Sequence, residues 1–140
     1  MQSSPLPVVR QKAPDAEKIT INLGFVDLGH VDLLVAEGFY SNRPDFIRTA
    51  IRNPLSAHGD ALKQVVARKM LVLGLQQFSA ADLHVVRLAG EKLEIRVLGL
   101  ASIAPDVTPE LALETIGSIT VLGALHASPA VKAALAGRLH

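Results

Sequence analysis

Lys18-Ile19-Thr20-Ile21-Asn22-Leu23 alternates without a break, placing Ile19, Ile21 and Leu23 on one face of an extended chain and Lys18, Thr20 and Asn22 on the other. Such a strand is half buried. Its apolar face requires a covering layer and its backbone a partner strand, because a lone strand leaves its N–H and C=O groups unpaired. No second strand signal lies nearby, and the next residues carry a helical pattern. Asp27 is placed to cap a segment in which Leu28, Val31, Leu34 and Val35 recur at helical spacing, and Gly38 supplies the left-handed residue that closes it. Asn42-Arg43-Pro44-Asp45 then opens a second helix, with an acid three residues after Asn42, and Phe46, Ile47, Ala50 and Ile51 form one apolar stripe. Pro44 biases Arg43 toward an extended conformation, so the cap is either Asn42 or Arg43. One strand and two helices cannot enclose a core. Two copies can: antiparallel strands satisfy each other's backbone, six apolar strand residues face four helices, and the polar residues project together on one ribbon.

This arrangement resembles the ribbon-helix-helix (CopG-type) DNA-binding family over about residues 17–53. The resemblance rests on the alternating strand, on Gly38 between the helices, and on Asn42-Arg43-Pro44-Asp45-Phe46-Ile47-Arg48-Thr49-Ala50-Ile51-Arg52. In that last run the family commonly shows Ser-Arg-Ser-Glu, a hydrophobic residue, Ile-Arg and a closing Ile-Arg. The resemblance implies an intertwined dimer with double-stranded DNA as its partner. Lys18, Thr20 and Asn22 would contact bases in the major groove, and Asn42 and Arg43 would clasp a backbone phosphate. The chemistry of these positions agrees. A two-stranded ribbon fits the roughly 12 Å major groove, where Lys donates to guanine, Thr meets the thymine methyl and Asn pairs with adenine. A helix N-terminus offers free amides to an anion, although Pro44 removes one of them. Arg48 and Arg52, four residues apart on one helix face, read as a solvated face or as partners of Asp45.

Composition bounds these expectations. The 140 residues carry a formal net charge of +1, divided as net +2 over residues 1–69 and net −1 over residues 70–140. That weak bias places affinity in geometry and in multiplicity of binding heads rather than in a polybasic surface. The absence of cysteine excludes disulfides, thiol catalysis and cysteine zinc sites. With no apolar signal core near the N-terminus and no run approaching ~18 uninterrupted apolar residues, a cytoplasmic protein without a membrane partner is expected.

The first sixteen residues, with Pro5, Pro7 and Pro14, read as a flexible arm whose Arg10 and Lys12 could touch phosphates. Pro54 ends or kinks the second helix, and Ala61, Leu62, Val65, Val66 and Lys69 predict a third. From Met70 the chain repeats itself. Met70-Leu71-Val72-Leu73-Gly74-Leu75, Ile95-Arg96-Val97-Leu98-Gly99-Leu100 and Ile119-Thr120-Val121-Leu122-Gly123-Ala124 align on glycines spaced 25 and 24 residues apart. Pro105-Asp106-Val107 and Pro129-Ala130-Val131 extend the match between the last two copies. Each apolar strand precedes a helix: Ala80 to Ala89, Pro109 to Ile116 and Pro129 to Leu139, with Ser79, Thr108 and Ser128 as N-caps. One strand and one helix per period predict parallel strands with the helices on one side, and the nearly continuous apolar runs predict strands covered on both faces.

The expected class is therefore α+β: an arm (1–16), a ribbon-helix-helix domain (17–54) forming an intertwined dimer, a connecting helix (55–69), and a small solenoid-like β/α repeat domain (70–140). The open edges of a short parallel sheet make that last domain an oligomerisation module, raising the assembly from a dimer to a tetramer or beyond. His30, His58, His84, His126 and His140 form no ligand pattern, so no metal or cofactor is expected. No phosphate loop, nucleophile elbow or paired His/carboxylate motif points to an enzyme. Three functions fit: a sequence-specific regulator acting as a repressor, an antitoxin with a toxin partner, and a DNA-associated scaffold. The ordered look of the C-terminal half weighs against the antitoxin, whose neutralising tail is disordered until bound.

Overall fold

The computed structural model describes residues 16–140. The arm positions Arg10 and Lys12 lie outside them. Two compact units are present, one of Lys18–Lys69 and one built on Met70–His140. The described residues are α+β, with six α-helices and one three-stranded parallel sheet.

In the first unit, residues 17–24 take no regular secondary structure in the single chain. Helix α1 spans Phe25–Ala36, α2 spans Arg43–Ala57 and α3 spans Gly59–Lys69. Two expectations about helix ends change. Asp27 is not the cap of α1: Gly24 holds that position in extended geometry, its carbonyl accepts from the Leu28 N–H at 3.0 Å, and Asp27 lies in the first turn, where an acid complements the helix dipole. Pro54 does not end α2. It sits inside the helix, and the Pro54 carbonyl accepts from the His58 N–H at 3.0 Å, so the last turn forms beyond it. Gly38 behaves as expected, at φ 86°. Its N–H donates to the Val35 carbonyl at 3.1 Å and that of Phe39 to Leu34 at 3.0 Å, the paired closure that a left-handed residue allows.

In the second unit the strands are β1 (Val72–Phe78), β2 (Leu93–Ile103) and β3 (Ile116–His126), in the order β1-β2-β3 and parallel throughout. Gly74 is paired with Gly99 and Gly99 with Gly123, so the glycines that align in the sequence lie side by side in the sheet. The helices α4 (Ala80–Leu88), α5 (Pro109–Thr115) and α6 (Pro129–Ala134) neighbour one another in that order. Ser79, Thr108 and Ser128 cap them, each side-chain oxygen accepting from the amide three residues on at 3.1–3.2 Å. The downstream match of Pro105 with Pro129 does not hold structurally. Pro129 opens α6, whereas Pro105 stands in a turn before Thr108, so the second copy takes a longer path from strand to helix.

The core lies between this helix layer and one sheet face. Leu83, Leu111, Val131 and Leu135 pack with Ile95, Val97 and Ile119, all buried. A short 3-10 turn, Ala136–Arg138, follows α6, and Arg138 donates through Nη1 to the carbonyls of Leu113 at 2.6 Å and Ile116 at 2.8 Å, closing the end of α5. Two further expectations are corrected here. The strands are not covered on both faces: alternation turns Leu73, Leu98 and Leu122 away from the helices, and Leu73 and Leu122 remain 65% and 50% exposed. Nor are both edges open, because Leu139 bridges Ile119 in parallel and the His140 N–H donates to the Ile119 carbonyl at 2.8 Å, occupying part of the β3 edge.

Candidate nucleic-acid interface

Lys18, Thr20 and Asn22 are all exposed in the segment before α1, and so are their apolar neighbours. Ile19 is 81% and Ile21 65% exposed. Both sides of an alternating segment thus face solvent in one chain. The helices show the same excess, with Phe25, Leu33, Ile51 and Leu55 exposed and Val31 the buried residue among the described residues of this unit.

The start of α2 resolves the capping alternative. Asn42 is the N-cap: its Oδ1 accepts from the Asp45 N–H at 2.8 Å, while Asp45 Oδ2 accepts from the Ser41 N–H at 2.9 Å. Arg43 and Pro44 then occupy the first two helical positions, where a missing proline N–H removes no helix bond. The Phe46 N–H donates to the Asn42 carbonyl at 3.2 Å. With Asp45 and Phe46 engaged and Pro44 lacking a donor, the amides of Asn42 and Arg43 are those left at this terminus for an anion. The edge-to-face contact of Tyr40 with Phe46, 5.0 Å between ring centres, fastens the preceding turn to the helix.

The Arg43 side chain has a partner that the sequence pattern did not disclose. Its Nε and Nη2 donate to Asp32 Oδ1 at 2.7 Å and Oδ2 at 2.8 Å, a two-pronged bond from α2 back to α1. The bond to Arg43 lowers the Asp32 carboxyl pKa, and the same bond raises that of the guanidinium. Both side chains are about half exposed, so solvent screens the pair and its main consequence is geometric: it orients α2 relative to α1. Asp32 carries no sequence signal for this role, since eleven residues and a turn separate it from Arg43 and no helical period links them. Arg48 and Arg52 are exposed and make no ion pair among the described residues, which is the solvated-face alternative.

The family model described as the ribbon-helix-helix transcriptional regulator family matches residues 14–132. The chain belongs to that family. The match reaches beyond the ribbon and its two helices into the sheet unit, as far as α6, so the β/α half is part of the regulator's pattern rather than an unrelated attachment. Neither the curated proteins nor the solved structures contain a match. Among the described residues of this regulator no three His, Asp or Glu side chains converge as a metal site, and no helix is long and apolar enough to cross a membrane.

Proposed function

We propose that this ribbon-helix-helix regulator is a sequence-specific repressor that binds double-stranded DNA as an intertwined dimer, its C-terminal unit gathering such dimers into a tetramer. The observation that carries the reading is the state of residues 18–23: a strictly alternating segment whose Ile19 and Ile21 stand in solvent without a partner strand. Antiparallel pairing with a second copy covers that apolar face against the helices and supplies the ladder bonds. Lys18, Thr20 and Asn22 then lie together on the outer side of the ribbon, where they read base edges. Asn42 and Arg43 hold a phosphate through their amides, with the Arg43 guanidinium fixed by Asp32 and serving chiefly to aim the helix. Phosphate contacts of this kind set register, and the ribbon sets specificity.

The test is a gel-shift series on genomic fragments at several salt concentrations. A repressor that reads bases keeps a strong preference for particular fragments at ~150 mM salt. An affinity that varies with salt alone and ignores sequence contradicts the reading and favours a DNA-associated scaffold.

A further inference from the structure

We propose that the helix-free face of the sheet is a second interface between copies of this chain, closing in a two-fold, leucine-on-leucine sandwich. The proposal rests on the tetramer reading and names the surface that makes it.

Parallel sheets are found with both faces covered, because their strands are apolar on both sides. Here the helix layer covers one face only. On the other, the register aligns two rows across all three strands, Leu73-Leu98-Leu122 and Leu75-Leu100-Ala124. Leu73, Leu75 and Leu122 are at least half exposed. Between the rows run Gly74, Gly99 and Gly123, which place no side chain on either face. The two rows therefore form one uninterrupted apolar patch.

Three observations point to a second copy as the cover. The first is charge. On one margin, among the described residues, Arg96 Nη2 donates to Glu94 Oε1 at 3.2 Å, setting a cation beside an anion, and on the other stand Gln77, Ser102 and His126. A patch with balanced margins meets its own copy without setting like charges against each other, whereas a basic or acidic partner finds no complement. The second is the sheet edge. Head-to-tail growth through β3 is obstructed where Leu139 and His140 occupy the strand beside Ile119, which leaves the face as the broad apolar surface for a closed assembly. The third is area. Three strands about 4.8 Å apart and seven residues long present a projected face of roughly 300 Å², well short of the ~800 Å² per partner of a free-standing interface. Such a face pairs effectively only when copies are already tethered, and a ribbon dimer delivers two at once, so that two dimers meet through two faces together.

The chain has no cysteine, so a single introduced thiol reports the contact without interference. In the full-length protein, Leu98→Cys lies at the centre of the face and Val85→Cys on the exposed side of α4. With a short thiol-to-thiol crosslinker, L98C is expected to form covalent pairs in high yield and V85C few. Light scattering on uncrosslinked wild type is expected to give a tetramer, and on Leu98→Glu a dimer with unchanged circular dichroism. Efficient L98C crosslinking in a protein that weighs as a dimer supports the leucine interface while overturning the tetramer reading. A tetramer in which L98C does not crosslink and Leu98→Glu changes nothing overturns the interface and leaves the tetramer standing on another surface. A dimer without L98C crosslinking overturns both.

Discussion

At Gly99 an added Cβ would run into the backbone of Gly74, and at Gly123 into that of Gly99, while at Gly74 it would meet open space. All three residues have positive φ, 109°, 139° and 120° in chain order. Alanine at any of them carries backbone strain of about 1–3 kcal/mol, and at Gly99 and Gly123 the collision is with a neighbouring strand that cannot step aside. The expected order of urea stability is therefore wild type, then Gly74→Ala, with Gly99→Ala and Gly123→Ala far below. Equal losses at all three would show that strain alone matters. The Asp32–Arg43 pair makes a different prediction. Because the folded state lowers the Asp32 pKa, the pair's contribution is present in full above the ordinary value of 3.8 and is lost as pH falls through the lower folded value. Asp32→Asn should thus lower Tm slightly at neutral pH, and the gap to wild type should close in acid. A gap that persists in acid would assign the effect to something other than this ion pair.

At the level of elements, the legible parts were those whose chemistry is local. Ser79, Thr108 and Ser128 announce their helices because a hydroxyl before a helical run satisfies an amide three residues away, and the contact is contained within four residues. Ser79 goes further, with Asp82 Oδ2 accepting its N–H at 2.9 Å in return. Ser79→Ala should cost about 1 kcal/mol in urea denaturation of the full chain, and no measurable change would mean that α4 is held by packing of Leu83 alone. The glycine period was legible too, since parallel strands in register place equal repeat positions side by side. What the pattern could not show depends on distant partners. The crossing from Arg43 to Asp32, the return of Leu139 and His140 to Ile119, and the bare sheet face are each decided by where the chain travels between the residues involved. Asp27 as a cap and Pro54 as a helix end mislead for a related reason: a capping acid and a proline mark helix ends only in the absence of a turn that continues past them.

For the molecule as a whole, both units end in exposed apolar surface that a single chain does not use: Ile19, Ile21 and the helix residues in the first, the leucine rows in the second. Burial of such surface is the main driving force of association. The family assignment spans both units, so the two belong to one regulator pattern, as the proposed division into reading head and assembly module requires. The near-neutral charge of the chain, a formal net +1, fits the proposed reading, in which the ribbon rather than a polybasic surface supplies selectivity. The most direct measurement is DNA binding by the full-length protein with Lys18, Thr20 and Asn22 all replaced by alanine, alongside wild type, at ~150 mM salt. The variant should keep the mass of the wild-type assembly and its circular dichroism, and lose its preference for the selected fragment over random DNA. A correctly assembled variant that still prefers that fragment as strongly as wild type would contradict the ribbon as the reader.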